Sequence, residues 1–218
     1  MSLRPSAVLF DLDGCLVDSR RAITTSMNAA LVSLGLPERE PSSLYRYIGP
    51  PTHEAFTDLV GEELSDRAVE LYRARAREKA ASESTVFEGI PAALASLRDA
   101  GVPLSVATSK PEPLAVPLLE ALGLASYFDA ITGSPLDSRN EPKRVTLGRA
   151  LELLPALAEG DGPRVLVGDR RHDVEAAHAH GVRCVGVLWG IGSREELEGA
   201  GADDLVASPS DLPSLLLG

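Results

Sequence analysis

Residues 7–10 read Ala-Val-Leu-Phe and run straight into Asp11-Leu12-Asp13-Gly14. A short, wholly apolar run suits a strand buried on both faces, and the acids and glycine that follow fix where it ends. Similar runs recur downstream. Pro103 to Thr108, Ala130–Thr132, Arg164–Gly168 and Cys184–Leu188 read as strands. Between them stand helical patterns: Leu94 and Leu97 up to Gly101, Leu114 to Leu122 up to Gly123, 143–154, and 171–180 up to Gly181. A last helix-strand-helix run closes the chain. Pro117 predicts a late start or a kink in its helix.

Strands alternating with helices of this length predict parallel βαβ units with right-handed crossovers. The stretch 19–84 breaks the alternation. Ile23, Met27, Ala30, Leu31 and Leu34 keep helical spacing, prolines and glycines then mark short pieces, and 65–82 reads as a longer helix. The expected fold is therefore α/β, a doubly wound parallel sheet with an inserted small α-helical cap. Residues 1–18 and 85–218 would form a Rossmann-like core, and 19–84 the cap.

In open α/β sheets ligands bind beyond the carboxyl ends of the strands. The first strand is followed there by Asp11 and Asp13, the second by Thr108-Ser109-Lys110, and the strand at 164–168 by Asp169 and Asp173. Lys143 opens a helix between the last two. Each cluster has an ordinary reading: Asp-Gly is a common turn pair, and Asp, Ser and Thr commonly cap helices. Together they would gather Asp11, Asp13, Asp169 and Asp173 at one edge. Such close carboxylates repel and are costly to bury unpaired. A hard divalent cation offsets that cost, and a site of few carboxylates that keeps waters suits Mg2+. A phosphate would add further oxygen ligands, with Lys143 and the Thr108 hydroxyl supplying charge and a donor. One acid can then act as nucleophile and the other as general acid and base. Gly14 permits close backbone approach.

Composition excludes several alternatives. The net charge of −11 opposes a nucleic-acid partner. No apolar run approaches the ~20 residues that span a bilayer, and the N-terminus lacks a secretion signal, so a cytoplasmic protein without a membrane partner is expected. Two cysteines, Cys15 and Cys184, make no disulfide framework and no zinc spacing. His172, His178 and His180 lack the i, i+4 spacing of a zinc helix. Only three basic residues are lysines (Lys79, Lys110 and Lys143), which singles out the two that lie in polar clusters.

Taken as a set, DLDGCLVDS from Asp11, VATSK up to Lys110, Lys143 and VGDRRHDV resemble the four motifs of the haloacid dehalogenase superfamily. Within it, GSPLD, GVLWGIGSREEL and GADDLVASPSDL resemble phosphatases of the phosphoglycolate phosphatase type. The resemblance implies Asp11 as nucleophile and Asp13 as general acid/base. It implies Mg2+ held by the Asp11 carboxylate, the Asp13 carbonyl and Asp169, with Asp173 helping directly or through water. Gly14, Thr108, Ser109 and Lys143 become the phosphate-contacting set. Cys15 stands where the family usually has Thr, and is read as a small buried residue. In the cap, Arg46 and His53 flank a rigid Gly49-Pro50-Pro51 turn and are the candidates for substrate contact.

The expected function is hydrolysis of a small phosphorylated metabolite. A sugar phosphomutase and an inorganic pyrophosphatase would use the same site. An aspartate phospho-acceptor domain without enzymatic turnover is the rival from another class. A monomer and a homodimer stay equally open. A dehalogenase is disfavoured by Asp13, and a phosphonate hydrolase by the poor match of Lys79 to a cap lysine.

Overall fold

The computed structural model describes residues 3–154 and 162–218. The strands are β1 (Ala7–Phe10), β2 (Val17–Asp18), β3 (Thr85–Val86), β4 (Leu104–Pro111), β5 (Ala130–Ser134), β6 (Arg164–Gly168), β7 (Arg183–Val187) and β8 (Asp204–Val206). Six of them form one parallel sheet in the order β5-β4-β1-β6-β7-β8. β1 is therefore central, with Leu9 level with Ser105 on one side and Leu166 on the other.

All four β1 residues are fully buried, and strand alternation sends them to two separate cores. Val8 and Phe10 pack with Ile90, Leu94, Leu118 and Leu216 from α5 (Ile90–Asp99), α6 (Glu112–Ala121) and α10 (Leu212–Leu217). Ala7 and Leu9 pack with Leu147, Val174 and Leu197 from α7 (Lys143–Leu153), α8 (Arg171–Ala179) and α9 (Arg194–Ala200). Helices on both faces leave the strand no polar side, which is why its sequence is uniformly apolar.

Between β2 and β3 every regular element is helical: α1 (Arg20–Ser33), α2 (Pro41–Leu44), a 3-10 turn at Tyr45–Tyr47, α3 (Thr52–Val60) and α4 (Glu62–Glu83). These helices enclose a third core, in which Met27, Phe56 and Tyr72 meet. β2 and β3 pair antiparallel, Val17 with Val86 and Asp18 with Thr85, where the chain leaves and re-enters the sheet region. That two-residue pairing is too short to carry a sequence pattern. The helical block touches the sheet region through Arg170, which donates to the Ile48 carbonyl, and through Arg73, which donates to the Leu136 carbonyl at 2.7 Å.

Of the two outcomes that Pro117 predicts, the late start does not occur. Its helix starts at Glu112 and runs through it, so the start is not late. The helix gains more from burying Leu114, Leu118 and Leu119 than it loses with one hydrogen bond. The second strand continues past Thr108 to Pro111, and Ser109 and Lys110 lie where its register with β5 shifts, between Ala107 and Pro111.

Phe10 also makes an edge-to-face contact with Phe128, centroids 6.1 Å apart. Phe10→Ala is expected to cost about 3–5 kcal/mol, measured as a shift in the urea unfolding midpoint at unchanged slope.

Candidate active site

The central strand delivers Asp11 to the sheet edge, where its N–H still donates to the Val167 carbonyl at 2.9 Å. The chain then turns tightly, with the Leu12 carbonyl accepting from Leu16 and Val17 and the Gly14 N–H returning to Val17. Gly14 has φ +91°, and a Cβ there would lie 2.2 Å from an Asp169 carboxylate oxygen. Glycine is required on both counts.

β6 delivers Asp169, and the first turn of α8 delivers Asp173. Asp173 Oδ2 accepts from the Arg170 N–H at 3.1 Å, and the Asp173 N–H donates to the Arg170 carbonyl at 3.0 Å. Its other oxygen faces Lys143 Nζ at 2.8 Å. Lys143, the first residue of α7, also pairs closely with Asp11 Oδ1. Asp169 Oδ2 accepts from the Ile191 N–H at 2.7 Å, while buried Oδ1 has no partner among the described residues.

Asp11, Asp169 and Asp173 each offer an oxygen within 4.8 Å of the others, and all three are buried. Lys143 is the only side-chain cation paired with them among the described residues. Burial pushes the Asp11 carboxyl up to about 6, partly opposed by Lys143 and reinforced by Asp173. Burial, then Asp173 and Asp11, raise Asp169 well above the usual carboxylate range. Burial would lower Lys143, but Asp11 and Asp173 raise it above its ordinary value, so it stays charged. This donor set of hard oxygens, short of positive charge and with an orphaned buried oxygen, fits a divalent cation.

Asp13 lies beside this group. Its Oδ2 accepts from Lys110 Nζ at 2.7 Å, and its buried Oδ1 has no partner. Lys110 is one of the two lysines singled out by their polar clusters, but the sequence assigns it no role, since it only follows a hydroxyl pair. Continuation of β4 through it aims the side chain back to Asp13 across the sheet edge. Thr108 is buried, and its hydroxyl accepts from the Lys110 N–H at 3.2 Å. Ser109 lines the same cavity as Asp11, Asp13 and Thr108. Cys15 is buried and bonded to the Val167 carbonyl, and burial holds its thiol protonated.

The helical block covers this edge, but not with the residues singled out in it. Arg46 is largely exposed and paired with Asp58 at 2.9 Å. His53 is buried inside the block against Asp66 and Ser65. Neither lines the cavity over Asp11 and Asp13. The residues of the helical block that do include Tyr47, Ile48, Pro50 and Tyr72. The 3-10 turn at Tyr45–Tyr47 sends neighbouring side chains in different directions, a distinction the sequence does not carry. His178 and His180 are engaged separately, by Asp203 and the Arg144 carbonyl.

A family model described as haloacid dehalogenase-like hydrolase matches residues 8–187. Tyrosine-protein kinase PtkA of Mycobacterium tuberculosis is 40% identical over 89% of the chain, which spans only 66% of that protein's length. A 5'-nucleotidase of Pseudomonas aeruginosa is 39% identical, over 90% of this chain and 88% of its own. A phosphoglycolate phosphatase of Chromobacterium violaceum is 36% identical over 96% of both. Among solved structures, a predicted phosphatase from Clostridium acetobutylicum superposes with TM-score 0.89 at 39% identity, covering 98% of each chain.

Lys143→Met would leave Asp11 and Asp173 buried without their cation. It is expected to cost about 3–5 kcal/mol near neutral pH. The loss should shrink toward about pH 5 as the Asp11 carboxyl, held near 6 in the folded protein, protonates, read from denaturation midpoints at the two pH values.

Proposed function

The chain belongs to the haloacid dehalogenase-like hydrolase family, and we propose that it is a Mg2+-dependent phosphatase that cleaves small phosphomonoesters through an aspartyl phosphate on Asp11. The observation that carries this reading is the buried, cation-deficient carboxylate cluster beneath a helical cover, with orphaned oxygens on Asp169 and Asp13. A network built only for stability would leave its buried oxygens paired.

In this scheme the Asp11 carboxylate attacks phosphorus, and the ester oxygen leaves with a proton from Asp13. Asp13 then takes a proton from the water that opens the aspartyl phosphate, returning inorganic phosphate and free Asp11. Lys110 fixes Asp13 Oδ2 and leaves Oδ1, the oxygen without a protein partner, to carry the proton. Lys143 holds Asp11 in place and sets positive charge beside the transferring group, and the Thr108 hydroxyl and Gly14 and Ser109 contact its oxygens. Mg2+, held by Asp11, Asp169, the Asp13 carbonyl and Asp173, would supply charge against the phosphoryl oxygens. Residues 19–84 act as the cap that excludes water and meets the leaving group.

Phosphomutase, pyrophosphatase and phospho-acceptor readings use the same first step and differ in what receives or keeps the phosphoryl group. Release of phosphate to water on each turnover separates hydrolysis from all but the pyrophosphatase. Activity on a carbon ester separates that one.

Asp11→Asn should lower Mg2+-dependent phosphate release from 4-nitrophenyl phosphate by at least about a thousandfold while the far-UV spectrum is unchanged. Retained turnover would sink the nucleophile assignment.

Metal binding has a second readout. The Asp11 carboxyl sits near 6 when folded, above its unfolded value of 3.8. Its contribution to stability is full below the unfolded value and is lost as pH rises through the folded one. Mg2+ should therefore raise Tm more at about pH 7.5 than at about pH 5. A shift independent of pH would argue against the carboxylate site.

A further inference from the structure

We infer that the leaving-group side of this site is built for phosphomonoesters of uncharged, apolar alcohols, and that it selects against acidic leaving groups such as glycolate. The inference rests on the phosphatase reading above and adds the substrate class.

The cavity over Asp11 and Asp13 has two unlike ends. Its floor is polar: Asp11, Asp13, Thr108, Ser109 and Lys110. Its remaining wall is mostly apolar, formed by Ile23, Met27, Tyr47, Ile48, Tyr72 and Leu114. The Tyr72 ring is set against Phe56 within the helical core, centroids 5.6 Å apart, so its position in the wall is fixed by packing. Its hydroxyl makes no hydrogen bond among the described residues, so that wall offers two neutral polar groups, this hydroxyl and that of Thr52. Tyr47 contributes ring surface, because its hydroxyl is tied to Asp58.

A carboxylate on the leaving group needs a cation within this cavity, and the one that lines it among the described residues is already committed. Lys110, the only cation lining the cavity among the described residues, is buried and bound to Asp13. Arg20 is held by Asp18 through two hydrogen bonds. Arg46 is paired with Asp58 outside the cavity, and Arg73 donates to the Leu136 carbonyl. An entering carboxylate would lie beside Asp13 with no free counter-charge, losing hydration for nothing in return. An alkyl group in the same place exchanges water for apolar contact and gains.

The test uses the wild-type protein with Mg2+ and three esters: 2-phosphoglycolate, ethyl phosphate and butyl phosphate. Ethyl phosphate has glycolate's chain length with a methyl in place of the carboxylate. The alkoxide of glycolate is the better leaving group, so intrinsic reactivity favours phosphoglycolate, and any reverse preference comes from the wall. The expected kcat/KM rises from phosphoglycolate through ethyl to butyl phosphate, by at least about tenfold overall. Met27→Arg, which places a cation on the wall, should shift the phosphoglycolate-to-butyl ratio about tenfold toward phosphoglycolate. Phosphoglycolate cleaved as well as or better than ethyl phosphate by the wild type overturns the inference and leaves the phosphatase reading standing. No Asp11-dependent turnover of any phosphate, 4-nitrophenyl phosphate included, overturns both. The wild-type comparison decides the matter even if the Met27 variant does not fold.

Discussion

The pairing of Lys143 with Asp11 and Asp173, beside an Asp169 that has no cation of its own, is the constraint the rest of the molecule is arranged around. Three carboxylates within 4.8 Å of one another in a buried place are individually unfavourable, as the upward displacement of Asp11 and Asp169 records. They can be held there only by a scaffold that does not yield. A central strand buried on both faces supplies one, and neighbouring strands fix the others in register with it. The close approach of Gly14 to Asp169 belongs to the same requirement, since any side chain there would push the carboxylates apart. A stability device would be electrically balanced; this arrangement keeps oxygens in reserve.

How much of this was legible depends on which physical signal each part uses. β1 is readable because burial on both faces allows only apolar residues, and its end because acids cannot continue it. Asp169 and Lys143 are readable because their positions at strand and helix ends follow from topology alone. Lys110 was not. Its partner lies 97 residues away, and only the extension of β4 past Thr108 brings the two together. The β2–β3 pairing was not legible either, because two residues on each strand cannot show a period.

The helical block between β2 and β3 illustrates a different limit. The Ile48-Gly49-Pro50-Pro51 stretch was recognisable as a rigid turn, and Ile48, Gly49 and Pro50 do reach the cavity. Charge drew attention to Arg46, while the residue facing the site is its neighbour Tyr47. The contact that ties the turn to the sheet region is Arg170 donating to the Ile48 carbonyl, and every residue has a carbonyl. Main-chain acceptors leave no mark on sequence, so such a tie becomes visible only once the fold is known.

These two halves of the cavity imply a division of labour with an energetic consequence. The polar floor recognises a phosphoryl group by charge, and every phosphomonoester presents that same group. Discrimination therefore falls to the apolar wall. A buried methylene contributes about 0.8 kcal/mol, so neighbouring alkyl leaving groups should differ only a few-fold. A charged group that finds no partner there loses far more, because desolvation is not returned. The site should thus be permissive among neutral alcohols of graded size and restrictive toward acidic ones, with the restriction coming from cations already engaged by Asp13, Asp18 and Asp58.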